Sequence, residues 1–173
     1  MSSQFSPKVV IPLTLIYIRD GDRILLMQRA AHKIFQSQWM GIGGKVEAGE
    51  DIVTSARREA LEETGLTLTN MRLRGVITIM DETEETRQVF IFIADRFEGK
   101  LLEQIGEGRL AWHPISKLGE LPQMVANQNL FLSAMLNDDN YYYYGFLILN
   151  EGKVITHASS DAYFANRPLR KPQ

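Results

Sequence analysis

From Gly43 to Leu66 the chain reads GGKVEAGEDIVTSARREALEETGL, and this stretch constrains everything around it. Glycines open it. Glu50 and Asp51 put negative charge where a helix N-terminus favours it, and Gly65 supplies a natural C′ residue. The spacing predicts a helix between them. At about 100° per residue, Val53, Ala56 and Ala60 share one narrow apolar face, and two alanines let a helix lie close to its partner. Beside that face stand Glu59, Glu62 and Glu63, at i, i+3 and i+4. Like charges at that spacing repel by roughly 0.2–0.5 kcal/mol per pair, and by more when partly buried. A hard divalent cation turns the repulsion into a site, since Mg²⁺ accepts carboxylate and carbonyl oxygens and takes further ligands from phosphates. Arg58 lies about two turns from Glu50 on roughly the same side, a clamp for the neighbouring carboxylates. One reading is a loop–helix–loop that holds a cation against a diphosphate; the other is a solvated acidic helix.

The longer pattern decides between them. Gly44, five residues, Glu50, seven residues, Arg58-Glu59-Ala60, one residue, Glu62-Glu63, one residue, Gly65-Leu66 resembles the signature of the Nudix hydrolases at every fixed position. Ala60 stands where a larger aliphatic is often written. The resemblance implies an enzyme that cleaves a nucleoside diphosphate linked to another moiety, using Mg²⁺ (or Mn²⁺) and an attacking water. Matched by position, Glu59, Glu62 and Glu63 are metal ligands or water-activating groups, and the Gly44 carbonyl completes the shell. Glu50 and Arg58 support them. The general base falls to Glu62 or Glu63.

The rest of the chain sets the frame. Its 173 residues suit one domain, and a net charge near −2 gives no signal for duplex nucleic acid. There is no cysteine, hence no disulfide and no thiolate metal site. His32, His113 and His157 lack metal-ligand spacing. No signal peptide or long apolar run is visible, which implies a soluble, cytoplasmic protein without a membrane partner. Oligomeric state is not readable. Val9–Ile18 is strand-like, with Pro12 indicating an edge or a bulge. Arg23–Gln28 completes a hairpin, and Arg29 after it is placed either to reach a phosphate or to lie at the surface. Ala30–Gln38 is a loop over the site. Met71–Met80 and Gln88–Phe97 form a second hairpin, Leu110–His113 a short strand, and Asn127–Leu136 an amphipathic helix. Tyr141–Leu149 and Val154–His157 form the last hairpin. These elements, with the family resemblance, predict an α+β fold: a Nudix α/β/α sandwich with a mixed β-sheet between helices, spanning residues 8–158. Residues 1–7 are expected to be a flexible N-terminus and 159–173 a tail.

Within the family, Trp39 followed by GIGGKVEAGE, Trp112 with HPISKLGELPQM, and YYYYGFLIL after a helix look like the branch that removes oxidised purine nucleoside triphosphates (the MutT type). Glu107 aligns with a further metal-binding acid in that branch, and its other reading is an exposed loop charge. Trp39, Met40, Asn127 and Gln128 fall at base-facing positions. Met40 replaces a frequent asparagine, and Asn127 and Gln128 stand where the animal enzymes have adjacent aspartates. Val125 stands where they have a tryptophan. An amide offers both a donor and an acceptor to a purine edge. The reaction implied is Mg²⁺-dependent hydrolysis of a (deoxy)nucleoside triphosphate to monophosphate and pyrophosphate, with 8-oxo-dGTP as a candidate. The alternatives are another nucleotide substrate (ADP-ribose, a dinucleoside polyphosphate, a nucleotide sugar) or a non-catalytic nucleotide sensor.

Overall fold

β1 (Val10–Asp20) runs through the middle of the molecule and is buried from Thr14 to Ile18, as a strand covered on both faces must be. The chain turns at Gly21 into β2 (Arg23–Arg29), which pairs antiparallel with β1 only at Ile18↔Leu25, Arg19↔Ile24 and Asp20↔Arg23. Beyond those pairs the strands part, and the glycine-bearing segment fills the gap: Ile42 bridges Ile16 and Lys45 bridges Leu13. This seam explains Pro12, which lies on neither an edge strand nor a bulge. The amides of Thr14 and Ile16 donate to Gly44 and Ile42, and by the same alternation the Pro12 nitrogen ends that ladder, where a missing donor matters least.

The computed structural model describes residues 9–30, 36–81, 85–102, 106–151 and 153–163. The N-terminal stretch, residues 31–35 of the expected Ala30–Gln38 loop (His32 among them) and residues 164–173 of the expected tail lie outside them. After β3 (Trp39–Met40) come α1 (Ile52–Thr64), β4 (Leu66–Met80), β5 (Thr86–Gly99) and β6 (Gly108–Pro114). Then follow α2 (Leu132–Asn137), β7 (Tyr141–Asn150) and β8 (Lys153–Tyr163). The sheet runs β3-β2-β1-β5-β4-β7-β8, with β6 also on β2. The β1–β5 and β4–β7 pairs are parallel and the others antiparallel, so the sheet is mixed. α1 covers one face through Ala56 and Ala60, packed with Ile16, Ile18, Ile42 and Phe92. α2 and two 3-10 turns, Ile115–Glu120 and Ala126–Leu130, cover the other, around Tyr17, Trp39, Phe131, Met135 and Tyr143. Helices on both faces of a mixed sheet make the α+β sandwich that the sequence predicts. Among the described residues, no helix is long and apolar enough to cross a membrane.

Three local expectations are corrected. Val53 is 39% exposed; the buried side of α1 runs through Ala56, Ala60, Glu63 and Thr64, and partly buried Ile52 packs where Val53 was expected. The Asn127–Leu136 helix is broken at Phe131, whose φ of −137° leaves the helical range. The break seats the Phe131 ring against Tyr143 at 5.2 Å and Tyr17 at 6.4 Å between centroids, so core packing overrides helix continuation. β8 continues past His157 to Tyr163, paired with β7 as far as Tyr141, and so takes up residues 159–163 of the expected tail.

Candidate active site

The seam in the sheet is where the acidic helix meets the glycines. Asp51 caps α1 by accepting from the amides of Val53 (2.7 Å) and Thr54 (3.0 Å), which fixes where the helix starts. Gly65, at φ 75°, closes it by donating to the Leu61 carbonyl at 2.9 Å. With both ends fixed, the glutamates have a set phase against the loop. Gly43 sits at φ 143°, and a Cβ there would lie 2.1 Å from the Thr14 carbonyl oxygen, so only glycine fits. Its amide donates to Glu63 Oε2 at 3.0 Å. A Cβ on Gly44 would lie 2.5 Å from Glu59 Oε1: the bare backbone is pressed against that carboxylate. The Gly44 carbonyl already accepts from the Thr14 amide at 2.9 Å and keeps its second lone pair.

Arg58 is the clamp the sequence predicts, and it grips three acids. It donates to Glu50 through Nε (3.2 Å) and Nη2 (2.7 Å), to Glu59 at 2.9 Å and to Glu62 at 3.1 Å. It also reaches the Lys45 carbonyl at 3.2 Å and so ties helix to loop. The Arg58 guanidinium, followed by the Glu47 amide, holds the Glu50 carboxyl down to about 2. Charge-assisted bonds of this kind are roughly twice as strong as neutral ones.

Glu63 has the opposite environment. It is 8% exposed, and burial pushes its carboxyl up to about 7. Neighbouring Glu59 and Glu107 add to the rise, while the Gly43 amide and Arg29 oppose it. Burial also raises Glu59, with Arg58 pulling the other way. Glu107 and Arg29, far from α1 in sequence, are thus brought beside Glu63, and they face each other at 3.5 Å. The Arg29 Nε is buried without a hydrogen-bond partner.

The three helix glutamates are unequally placed, although Glu59 and Glu62 accept from the same Arg58 Nη1. Glu59 and Glu63 lie at the glycine loop, whereas Glu62 is 59% exposed on the rim and held by Arg58. Among the described residues, no three acidic or histidine side chains are gathered closely enough to hold a metal as they stand. Arginines take the neutralising part: Arg58 for Glu50, Glu59 and Glu62, and Arg29 for Glu107. The donors at the loop are all oxygens, which is the set that suits Mg²⁺ or Mn²⁺.

The base-facing positions divide. Trp39 is 5% exposed, with His113 edge-on at 4.4 Å and Arg109 over its ring at 5.1 Å, so it is a core residue that presents no open face. Its backbone joins the 3-10 turn region by accepting from Val125 and donating to Gln123. Met40 is partly buried on the same core. Asn127 and Gln128 each bury a side-chain carbonyl oxygen without a hydrogen-bond partner, and Gln128 is only 2% exposed. Sequence reasoning missed Thr14 and the Gly43 amide as the groups that seat the loop. The Gly43-Gly44 doublet was the signal that could have found them.

A sheet opened to admit a glycine loop, with a capped glutamate helix locked to it by one arginine, defines a Nudix fold. The NUDIX domain model matches residues 12–135, and the chain belongs to that family. It is similar to an oxidized purine nucleoside triphosphate hydrolase of Danio rerio, 37% identical over 134 residues covering 76% of this chain and 83% of the relative. An uncharacterized Nudix hydrolase (YvcI) of Bacillus subtilis is 32% identical over 114 residues, covering 64% of this chain and 70% of that one. Among solved structures, a MutT protein from Bacillus halodurans superposes with a TM-score of 0.76 at 29% identity, covering 86% of this chain and 97% of that one. The protein is a MutT-type Nudix pyrophosphohydrolase acting on nucleotide-like substrates.

Proposed function

We propose that this enzyme hydrolyses a (deoxy)nucleoside triphosphate, with 8-oxo-dGTP as the candidate, to the monophosphate and pyrophosphate in a Mg²⁺- or Mn²⁺-dependent reaction. The observation that carries the substrate is the pair of buried, unpartnered amide oxygens of Asn127 and Gln128. Buried polar atoms are almost always satisfied; other side chains of the described residues share this state, but these two are adjacent and stand at the positions that the family resemblance makes base-facing, and we read them as awaiting donors from a ligand. A site that pairs with polar groups on a base rejects analogues lacking them strongly. The name of the Danio rerio relative supports the same choice.

Glu59, Glu63, the Gly44 carbonyl and Glu107 would hold the cation, with Glu62 at the rim; all are oxygen donors. Bound there, the ion neutralises phosphate oxygens and acidifies water. The protein's own part is positional. Arg58 keeps Glu50 ionised and fixes Glu59 against Gly44. Arg29, whose buried Nε has no hydrogen-bond partner, would reach a phosphate. The proton from the attacking water goes to a carboxylate, Glu63 or Glu62.

The test is turnover on a panel of oxidised and ordinary purine triphosphates, ADP-ribose and dinucleoside polyphosphates, with products identified. Pyrophosphate plus monophosphate, fastest from the oxidised purine, is the expected result. Orthophosphate as the sole product from triphosphates overturns the bond assignment. Undiminished turnover in both Glu62→Gln and Glu63→Gln overturns the base assignment.

A further inference from the structure

β4 carries a bulge next to the point where it gains β7 as a neighbour. Leu73 pairs with Phe92 and Gly75 with Ile91, which leaves Arg74 between them without a partner in that ladder. The bulge also flips the strand: Met71 and Leu73 pack on the α1 side, whereas Ile77 and Ile79 pack on the α2 side, although all four are odd-numbered. Bulges re-aim side chains. This one sends Arg74 inward until only 1% of it is exposed.

There the guanidinium faces carbonyl oxygens. Nε and Nη2 donate to the Tyr141 carbonyl at 3.1 and 2.9 Å, and Nη2 also reaches Met135 at 3.1 Å and Asp138 at 2.5 Å. Nη1 lies 3.4 Å from Asp139. Met135 belongs to α2, Asp138 follows it and Tyr141 opens β7, so one buried side chain ties the end of the helix to the strand after it. Gly75 permits the closeness: a Cβ there would lie 2.6 Å from the Tyr143 carbonyl oxygen and 2.8 Å from Met135 Cε. The other end of the segment is pinned on Trp39, which donates to Gln123 at 2.8 Å and accepts from Val125 at 3.0 Å.

We propose that Arg74 is a positioning residue for substrate recognition. It fixes the far end of the Gln123–Tyr141 segment, and thereby the depth at which Asn127 and Gln128 present their amides. The inference rests on the reading of those two amides as base-facing groups. A buried charge spent on backbone carbonyls far from the acidic helix is costly unless every donor is matched. The geometry it enforces lies on the recognition side of the sheet and leaves α1 untouched. Loss of that geometry therefore moves KM and base discrimination and spares kcat.

Two variants test it: Arg74→Lys, which keeps the charge but cannot span the same carbonyls, and Gly75→Ala, whose methyl would meet the Tyr143 carbonyl oxygen at 2.6 Å and Met135 Cε at 2.8 Å and so push β7 and the end of α2 away from β4. Each is expected to raise KM for the oxidised purine triphosphate about tenfold, with kcat within about twofold and weaker preference over the ordinary purine, since small displacements of positioning groups carry effects of this size. Melting temperatures that fall while KM and preference hold steady would make Arg74 purely structural and overturn the proposal, as would a loss confined to kcat. Asn127→Ala and Gln128→Ala separate the two layers: if they raise KM and the Arg74 and Gly75 variants do not, only this inference falls; if they leave KM unchanged, the reading beneath it falls too. Should neither positioning variant fold, hydrogen exchange on the wild-type enzyme with a non-hydrolysable triphosphate analogue decides. Slowed exchange extending jointly from Gln128 to Tyr141 supports the clamp, and slowing that stops at Gln128 refutes it.

Discussion

Replacing Glu63 by glutamine should stabilise the metal-free fold above neutral pH and lower turnover of the metal-loaded enzyme. The carboxyl sits at about 7 in the folded protein against an ordinary value of 4.5, because burial opposes its charge. The folded state therefore holds a proton between those values that the unfolded chain has released, so stability falls as pH rises from 4.5 through 7. At about 1.4 kcal/mol per pH unit the full cost is roughly 3 kcal/mol, nearly all of it present by pH 8.5. Glutamine stays neutral at every pH, and its carbonyl can still accept from the Gly43 amide, now 3.0 Å from Glu63 Oε2. For a chain of this size each kcal/mol moves the midpoint by about 2–4 °C. Thermal melts in chelator should then place Glu63→Gln roughly 6–12 °C above wild type at pH 8.5 and within about 3 °C at pH 5. The wild-type midpoint should itself decline between those pH values. If the wild-type midpoint is flat across this range, or the variant melts no higher at pH 8.5, the carboxylate is not held against its own burial and the reasoning fails.

Three further outcomes follow from the same site. Arg58→Ala strips the counter-charge from Glu50, Glu59 and Glu62; it should cost roughly 1–3 kcal/mol, short of the full penalty for a broken buried pair because the side chain is part-exposed, and lower kcat at least about tenfold, as measured by denaturant melts and steady-state kinetics. Gly43→Ala places a methyl 2.1 Å from the Thr14 carbonyl oxygen at φ 143°; a loss of about 2–4 kcal/mol is expected, and a variant as stable as wild type would mean the loop has another conformation. Chelation should abolish turnover and Mg²⁺ should restore it. With nucleotide present, the metal should also raise the melting temperature, by about 2.7 kcal/mol of stability at a hundredfold excess over its dissociation constant.

The extent of the acidic helix could be read from one dimension, because caps, period and spacing are local properties. Asp51 caps it, Gly65 ends it and Arg58 grips Glu50 as the sequence implies. What a helical projection could not give is the direction each glutamate faces once something lies against the helix. Glu62 and Glu63 are adjacent in sequence, yet one is on the solvent rim and the other is buried at Gly43. Val53 went the same way: its period placed it on the apolar stripe, and the sheet beneath left it outside. Trp39 stands in a motif by sequence, and only its neighbours His113 and Arg109 show it to be part of the core.

The helix, its caps and its glutamates were written in the order of residues, since they depend on contacts a few positions apart, and the sandwich was legible through the family resemblance that their spacing carries. The seating of Glu107 and Arg29 beside Glu63, the kink at Phe131 and the inward turn of Arg74 arise where strands distant in sequence meet. Those features depend on which surfaces the closed sheet leaves free, and burial, which sets both the charge state of Glu63 and the reach of Arg74, does not exist until the chain has folded.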